Sequence, residues 1–336
     1  MVEAAVEPRR RLAPQTMCSV YARACEEQAI GHAGHPSAYL LFETPTPWPH
    51  RLFEASDDLR SLQAMRMRHY ESGFLFSAIA LTPDSAYSRP GIRRIIYLRR
   101  PDGPFDRFLR DEYLLPEGDG VFPLARAIFE QPDLLRDFDR YRVEAGSVRD
   151  LLVCTHGSVD VCCGKFGYPI YESLRDRYRP GNSPGIRVWR ASHFGGHRYA
   201  PTMLDLAEGR YWAFLTDAVL RQIVERTGPI DPLLSYYRGW AGADTAWSQV
   251  AEGEAFRREG WDWLGYRKSV TTRQIDDDQR RAEIRIDFVS ADGLLRGAYD
   301  ATVEVVGSRP LPLCGERPEE AHSEGQRYQV TRMSRV

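Results

Sequence analysis

The sequence predicts an α/β fold made of two successive mixed units and a smaller α+β region behind them. Three observations carry that prediction. Short apolar runs bounded by turn residues alternate with stretches of helical spacing through residues 17–229. The order β-α-β-β followed by helix occurs once in residues 17–145 and again in residues 146–229. Residues 230–336 then switch to a helix followed by alternating strand patterns.

Residues 1–16 are charged, contain Pro8 and Pro14 and show no periodicity, so they read as a disordered tail. Ala38 to Glu43 (AYLLFE) is a buried strand, followed by the turn-rich TPTPWP. Asp57 to Tyr70 is a helix with Ser56 as its N-cap. Phe74 to Leu81 and Arg94 to Leu98 are strands, and residues 105–140 read as mainly helical. In the second unit, Asp150 to Cys154 is a strand. Cys163 to Tyr178 is a helix that Pro169 interrupts or delays. Arg187 to Arg190 is the next strand, and Met203 to Leu206 with Tyr211 to Leu215 form a hairpin turning at Glu208-Gly209. Asp217 to Arg226 closes the unit as a helix. This order is the core of a thioredoxin-like fold, and the first unit matches it in element order only, which suggests an internal duplication. In the third region Ala243 to Glu259 is a helix, and Glu283 to Phe288 and Ala298 to Val306 are strands joined through Asp292-Gly293, while the last dozen residues are expected to fray.

Composition narrows the function classes. Hydrophobic residues make up 43% and charged residues 27%, the balance of a globular chain with a sizeable core, so small-protein disulfide staples are not needed. The net charge is −2 and the charges are interspersed, which argues against a nucleic-acid arm or a membrane-surface patch. No stretch approaches the roughly 18 apolar residues of a membrane span, and MVEAAVEPRRRLAP has no apolar signal-peptide core. The expected location is the cytoplasm, where six cysteines serve as metal ligands, reactive groups or buried thiols more often than as disulfides.

Two segments hold the chemistry: CTHGSVDVCCG, from Cys154 to Gly164, and HFGGH, from His193 to His197. Cys154 ends a strand, Cys163 follows near the start of a helix, and both histidines lie on the loop after the next strand. Loops after parallel neighbouring strands emerge at one sheet edge, so these four residues converge. Gly195 and Gly196 let the histidine loop bend so that both rings can face one point. Two thiolates and two imidazoles suit zinc, but eight residues separate the cysteines where zinc fingers have two to four. A 2Fe–2S cluster is wider and takes one ligand pair on each iron, so the spacing favours the cluster and leaves zinc open.

At these residues the chain resembles the sucrase/ferredoxin-like family. The resemblance rests on Cys154, eight residues and Cys163 within CTHGSVDVCCG, and on SHFGGHRYAPT, with fainter matches at Cys18-Ser19, LLFETPTPWP and Cys314-Gly315. It implies a thioredoxin-like ferredoxin domain whose 2Fe–2S cluster is held by Cys154, Cys163, His193 and His197. The family's spacing selects Cys163 over its neighbour Cys162. Nothing in the sequence defends a glycosidase carboxylate pair, whatever the family's name.

His156 and Asp160, in the loop between the cysteines, are candidates for orienting ligands, as are Gly195 and Gly196; local turn bonding is their plainer reading. Cys18 and Cys25 read first as buried or free thiols, with a second site from Cys18, Cys25, His32 and His35 as the sharper alternative. Cys314 reads as a free thiol, and His50, His69 and His322 as surface residues. Trp189, Phe194, Tyr199, Tyr211 and Trp212 read as core around the site. The expected function is electron transfer, single electrons passing from a reductase to an acceptor, with no enzymatic activity of the chain's own. The alternatives are a zinc-stabilised thioredoxin-fold interaction module and a thiol-redox protein without a cluster. The second of these is disfavoured because Cys162-Cys163-Gly164-Lys165 lacks C-x-x-C.

Overall fold

The computed structural model describes residues 17–144, 146–179, 181, 183 and 185–336; the tail expected over residues 1–16 lies outside them. After the short helix α1 (Cys18–Ala24), the first unit runs β1 (Ala38–Glu43), α2 (Asp57–Glu71), β2 (Phe76–Leu81), β3 (Ile92–Arg99), β4 (Leu109–Pro116) and α3 (Phe122–Phe129). A two-residue strand, β5 (Arg142–Val143), ends it. The second unit runs β6 (Arg149–Cys154), α4 (Val161–Arg177), β7 (Ile186–Ala191), β8 (Met203–Asp205), β9 (Arg210–Trp212) and α5 (Asp217–Glu225), with β10 (Tyr237–Trp240) added at its edge. Then come α6 (Ala246–Glu259) and an antiparallel sheet of β11 (Arg267–Ile275), β12 (Arg281–Val289), β13 (Arg296–Pro310) and β14 (Glu324–Arg335).

The two units share one topology. The first has strand order β2-β1-β3-β4 and the second β7-β6-β8-β9. In each, the first strand pairs parallel with the second and antiparallel with the third. That is the thioredoxin-like arrangement expected from element order, now seen twice. The units join where the ends of β2 and β7 pair at Leu81 and Ala191. Beyond that point their facing surfaces close on one apolar layer, which includes Tyr39, Leu41 and Ile96 from the first unit and Leu152, Trp189 and Trp240 from the second. The outer face of the first unit is covered by α2 and α3. A further cluster unites the outer face of the second unit with α6 and the C-terminal sheet, through residues such as Val188, Trp212, Phe256, Trp263, Ile284 and Val303.

A buried ion network also spans the units. Arg187 on β7 donates to Asp150 on β6 (2.8 Å) and to Glu112 on β4 (3.0 Å). Arg110 reaches Asp150 and Glu112, both at 2.5 Å, and Arg94 bonds Glu112 from β3. This network explains the clearest departure from expectation. Residues 105–140 do not form a mainly helical stretch, because Leu109–Pro116 is a strand paired along its length with β3. Its faces bury Tyr113 and Leu115 on one side and the charged Glu112 on the other, so no apolar alternation marks it. Three smaller corrections follow. Pro169 lies within α4 without breaking it, and the helix starts at Val161, with the Asp160 side chain accepting from the Cys162 N–H. The last dozen residues form β14, paired with β13. His69 packs against Phe74, Phe76 and Phe129 instead of lying free on the surface.

Burial opposes ionisation of Glu112, but hydrogen bonding and charge from Arg187, with Arg110 and Arg94, carry its pKa from 4.5 down to about 2. A carboxylate depressed in the folded state contributes stability above its unfolded pKa that is lost as pH falls through the folded one. Urea unfolding should therefore show stability dropping between about pH 4.5 and about pH 2. Glu112→Gln should cost about 3–5 kcal/mol at neutral pH by leaving three arginines short of a counter-charge, and it should flatten that acid limb.

Candidate metal centre

The site is built where β6, β7 and the first turn of α4 meet. Cys154 is the last residue of β6, and α4 returns so closely that a Cβ on Gly167 would stand 2.0 Å from the Cys154 carbonyl oxygen. Only glycine allows that approach. It sets the start of α4, and with it Cys163, against the end of the strand. His193 follows β7, which pairs in parallel register with β6 as Cys154 against Ala191. The His193 Nδ1 lies 3.8 Å from Cys154 Sγ and 3.7 Å from Cys163 Sγ. All three ligand atoms lie within 4.8 Å of one another, and both cysteines are buried.

The histidine loop is held from two sides. The His193 N–H donates to His156 Nδ1 (3.3 Å), so the His156 proton sits on Nε2, which donates to Pro49 O (3.0 Å). Burial moves the His156 pKa down, consistent with that neutral ring. On the other side, buried Arg238 on β10 donates to Gly195 O (3.2 Å) and to His32 O (2.6 Å). Gly196 has φ +77°, and a Cβ there would fall 2.4 Å from the Arg238 guanidinium. Arg238 was not visible as a site residue in sequence. It sits some forty residues beyond the motif, with no local pattern around it.

His197 stands between two groups of donors. Its ring centroid is 5.9 Å from that of His193. Its Nδ1 faces Asp160 Oδ2 at 3.0 Å and Cys18 Sγ at 3.2 Å. Cys18 does not gather with Cys25, His32 and His35 as the sequence alternative had it. It meets Cys162 and Cys314, with S···S distances of 3.7 Å (Cys18 to Cys162), 3.4 Å (Cys162 to Cys314) and 3.3 Å (Cys314 to Cys18). Cys314 is thus no isolated thiol, and Cys162 belongs to this group and not to that of Cys163. Asp160 completes it, again with all donor atoms within 4.8 Å. Among the described residues these are the two groups of three or more donors close enough to share an ion.

Each group favours a single thiolate when it holds only protons. Burial opposes ionisation of Cys154, but bonds from Cys163 and His193 hold its pKa well below the usual thiol range. The bond to Cys154, then burial, pushes the Cys163 thiol up. In the other group, bonds from Cys18 and Cys314 bring Cys162 down, and the bond to Cys162 raises Cys314 to about 12. Two groups of close donors, each built on two buried cysteines, are suited to binding metal.

Gly167→Ala tests the strand–helix approach. It should destabilise the fold by about 1–3 kcal/mol in urea unfolding through overpacking, and it should lower metal content per chain by moving Cys163 away from Cys154.

No described helix is long and apolar enough to cross a membrane. No curated protein and no solved structure matches the chain. One family model does, over residues 29–239, a span that contains β1 to β9 and therefore both thioredoxin-like units, Cys154, Cys163 and the two histidines. With more than half its length matched, the chain belongs to the sucrase/ferredoxin-like family.

Proposed function

We propose that this protein is an electron carrier holding a 2Fe–2S cluster on Cys154, Cys163, His193 and His197. The observation that supports this reading most is the gathering of Cys154, Cys163 and His193 ligand atoms within 4.8 Å at one sheet edge, with His197 on the same glycine loop. The donor set fits: two buried thiols for one iron and two imidazoles for the other, as in Rieske centres. Such a cluster supplies a reversible one-electron couple, with a potential above that of all-cysteine ferredoxins because two neutral ligands replace two negative ones.

The chain's own residues supply the rest. His156 fixes the backbone at His193, and Arg238 fixes it at Gly195. Asp160, which also caps α4, stands 3.0 Å from His197 Nδ1, so Nε2 is the ring nitrogen proposed to face the metal. The buried guanidinium of Arg238 sets a positive charge close enough to act on both Cys154 and Cys163. Tyr211 packs edge-on against Phe194 of the loop, and the Arg238 guanidinium lies over the Tyr199 and Tyr211 rings. The histidine rings can carry protons, which couples reduction to pH. A redox protein is the expected partner.

One observation favours a second reading. Three donors within 4.8 Å of one another would also serve a single zinc ion. Protein purified without oxygen separates the two. Equal iron and acid-labile sulfide, with a brown colour that bleaches under dithionite, supports the cluster, whereas colourless protein with zinc alone after attempted reconstitution removes it. With the cluster present, the potential should fall with rising pH by up to about 59 mV per unit. His193→Cys and His197→Cys should each lower the potential and weaken that pH dependence, as followed by redox titration.

A further inference from the structure

Beyond the proposed cluster, we propose that Cys18, Cys162 and Cys314, with Asp160, form a second metal site that takes one tetrahedral divalent cation of the zinc class. The three residues come from distant parts of the chain: Cys18 opens α1, Cys162 lies in the first turn of α4, and Cys314 lies on the loop between β13 and β14. Their sulfurs nevertheless form a near-equilateral triangle with edges of 3.3, 3.4 and 3.7 Å. Thiolates bound at 2.3 Å to a tetrahedral ion stand about 3.8 Å apart, so the triangle is already close to the face of such a polyhedron. An oxygen ligand in the same polyhedron lies about 3.5 Å from each sulfur, and Asp160 Oδ1 is 3.6 Å from Cys314 Sγ. At most two cysteines share an iron on a 2Fe–2S cluster, and each has its own on a 4Fe–4S cluster, so three cannot all approach so closely, which favours a single ion.

Supporting bonds hold this geometry. The Cys18 N–H donates to Cys314 Sγ (3.3 Å), a bond that suits a thiolate. Asp160 is fixed by accepting from the Cys162 N–H at 2.8 Å. Arg198, buried next to His197, clamps Glu27 with two bonds of 2.7 Å and donates to Pro312 O at 3.1 Å, so the loop after α1 and the Cys314 loop are tied to one side chain. A disulfide between any two of the three would leave the third sulfur unused, whereas a cation uses all of them. Binding forms three metal–sulfur bonds and one metal–oxygen bond and releases the remaining thiol protons to solvent, with no change of oxidation state. Cys18 and Cys314 lie outside the residues matched by the family model, so this site joins the family region to the segments that flank it.

The test uses the full chain, purified with thiols reduced and without chelator, and elemental analysis of zinc beside iron. Wild type should hold one zinc per chain that survives dialysis. Cys314→Ser should lose that zinc and keep its iron and sulfide, while Cys25→Ser, a thiol outside the group, should retain all three. Loading with cobalt(II) alone should give an intense thiolate charge-transfer band that Cys314→Ser abolishes. Zinc content unchanged by Cys314→Ser would overturn the proposal, as would wild-type protein that takes neither zinc nor cobalt there. A disulfide linking two of the three cysteines in freshly isolated protein would overturn it as well. Loss of iron and sulfide from wild type with zinc retained would count against the cluster and not against this site.

Discussion

The first turn of α4 places one cysteine in each of the two donor groups found among the described residues. Successive residues on a helix point about 100° apart, so Cys162 and Cys163 cannot face the same object. One meets Cys154 and His193, the other Cys18 and Cys314. What fixes the turn is short-range: the Asp160 cap at its start and the contact of Gly167 with the end of β6 about two turns later. A small rotation of this helix would spoil both groups together. That makes the packing of α4 on the sheet a functional constraint as well as a contribution to stability.

The repeated topology gives the rest of the molecule a division of labour. Six-residue strands β1 and β6 occupy the same place in their units, yet β1 ends in Glu43 where β6 ends in Cys154. Glu43 accepts a bond from the Arg94 backbone N–H (2.9 Å) and belongs to the polar interior, with no donor group of the metal-binding kind beside it among the described residues. The first unit serves the second by packing. It supplies half of the shared apolar layer, the carboxylate of Glu112, and Pro49, whose carbonyl holds His156. The C-terminal sheet serves it in another way, by delivering Cys314.

Much of this was legible in the sequence, and the limits have physical causes. The strands that end in Cys154 and precede His193 were apparent because buried parallel strands read as apolar runs. Their convergence followed from the rule that parallel strands open their loops at one edge. Leu109–Pro116 escaped because its inward face carries Glu112, and a charge paired inside the protein looks like a surface residue in sequence. Cys18, Cys162 and Cys314 could each be seen, but only the returning C-terminal sheet brings Cys314 to the other two, and no local spacing encodes that. Arg238 was hidden for the same reason.

The two donor groups also differ in when they can be assembled. Cys154 and His193 are 39 residues apart, so a nascent chain can bring them together while the residues that follow them are still being synthesised. Cys18 and Cys314 are separated by 296 residues, and nothing can join them until Cys314 itself has been synthesised. Closure of the three-thiol group is therefore a late event by necessity. It marks a chain in which the segments of Cys18 and Cys314 have both reached their places, as a clasp fastened only after the garment is on.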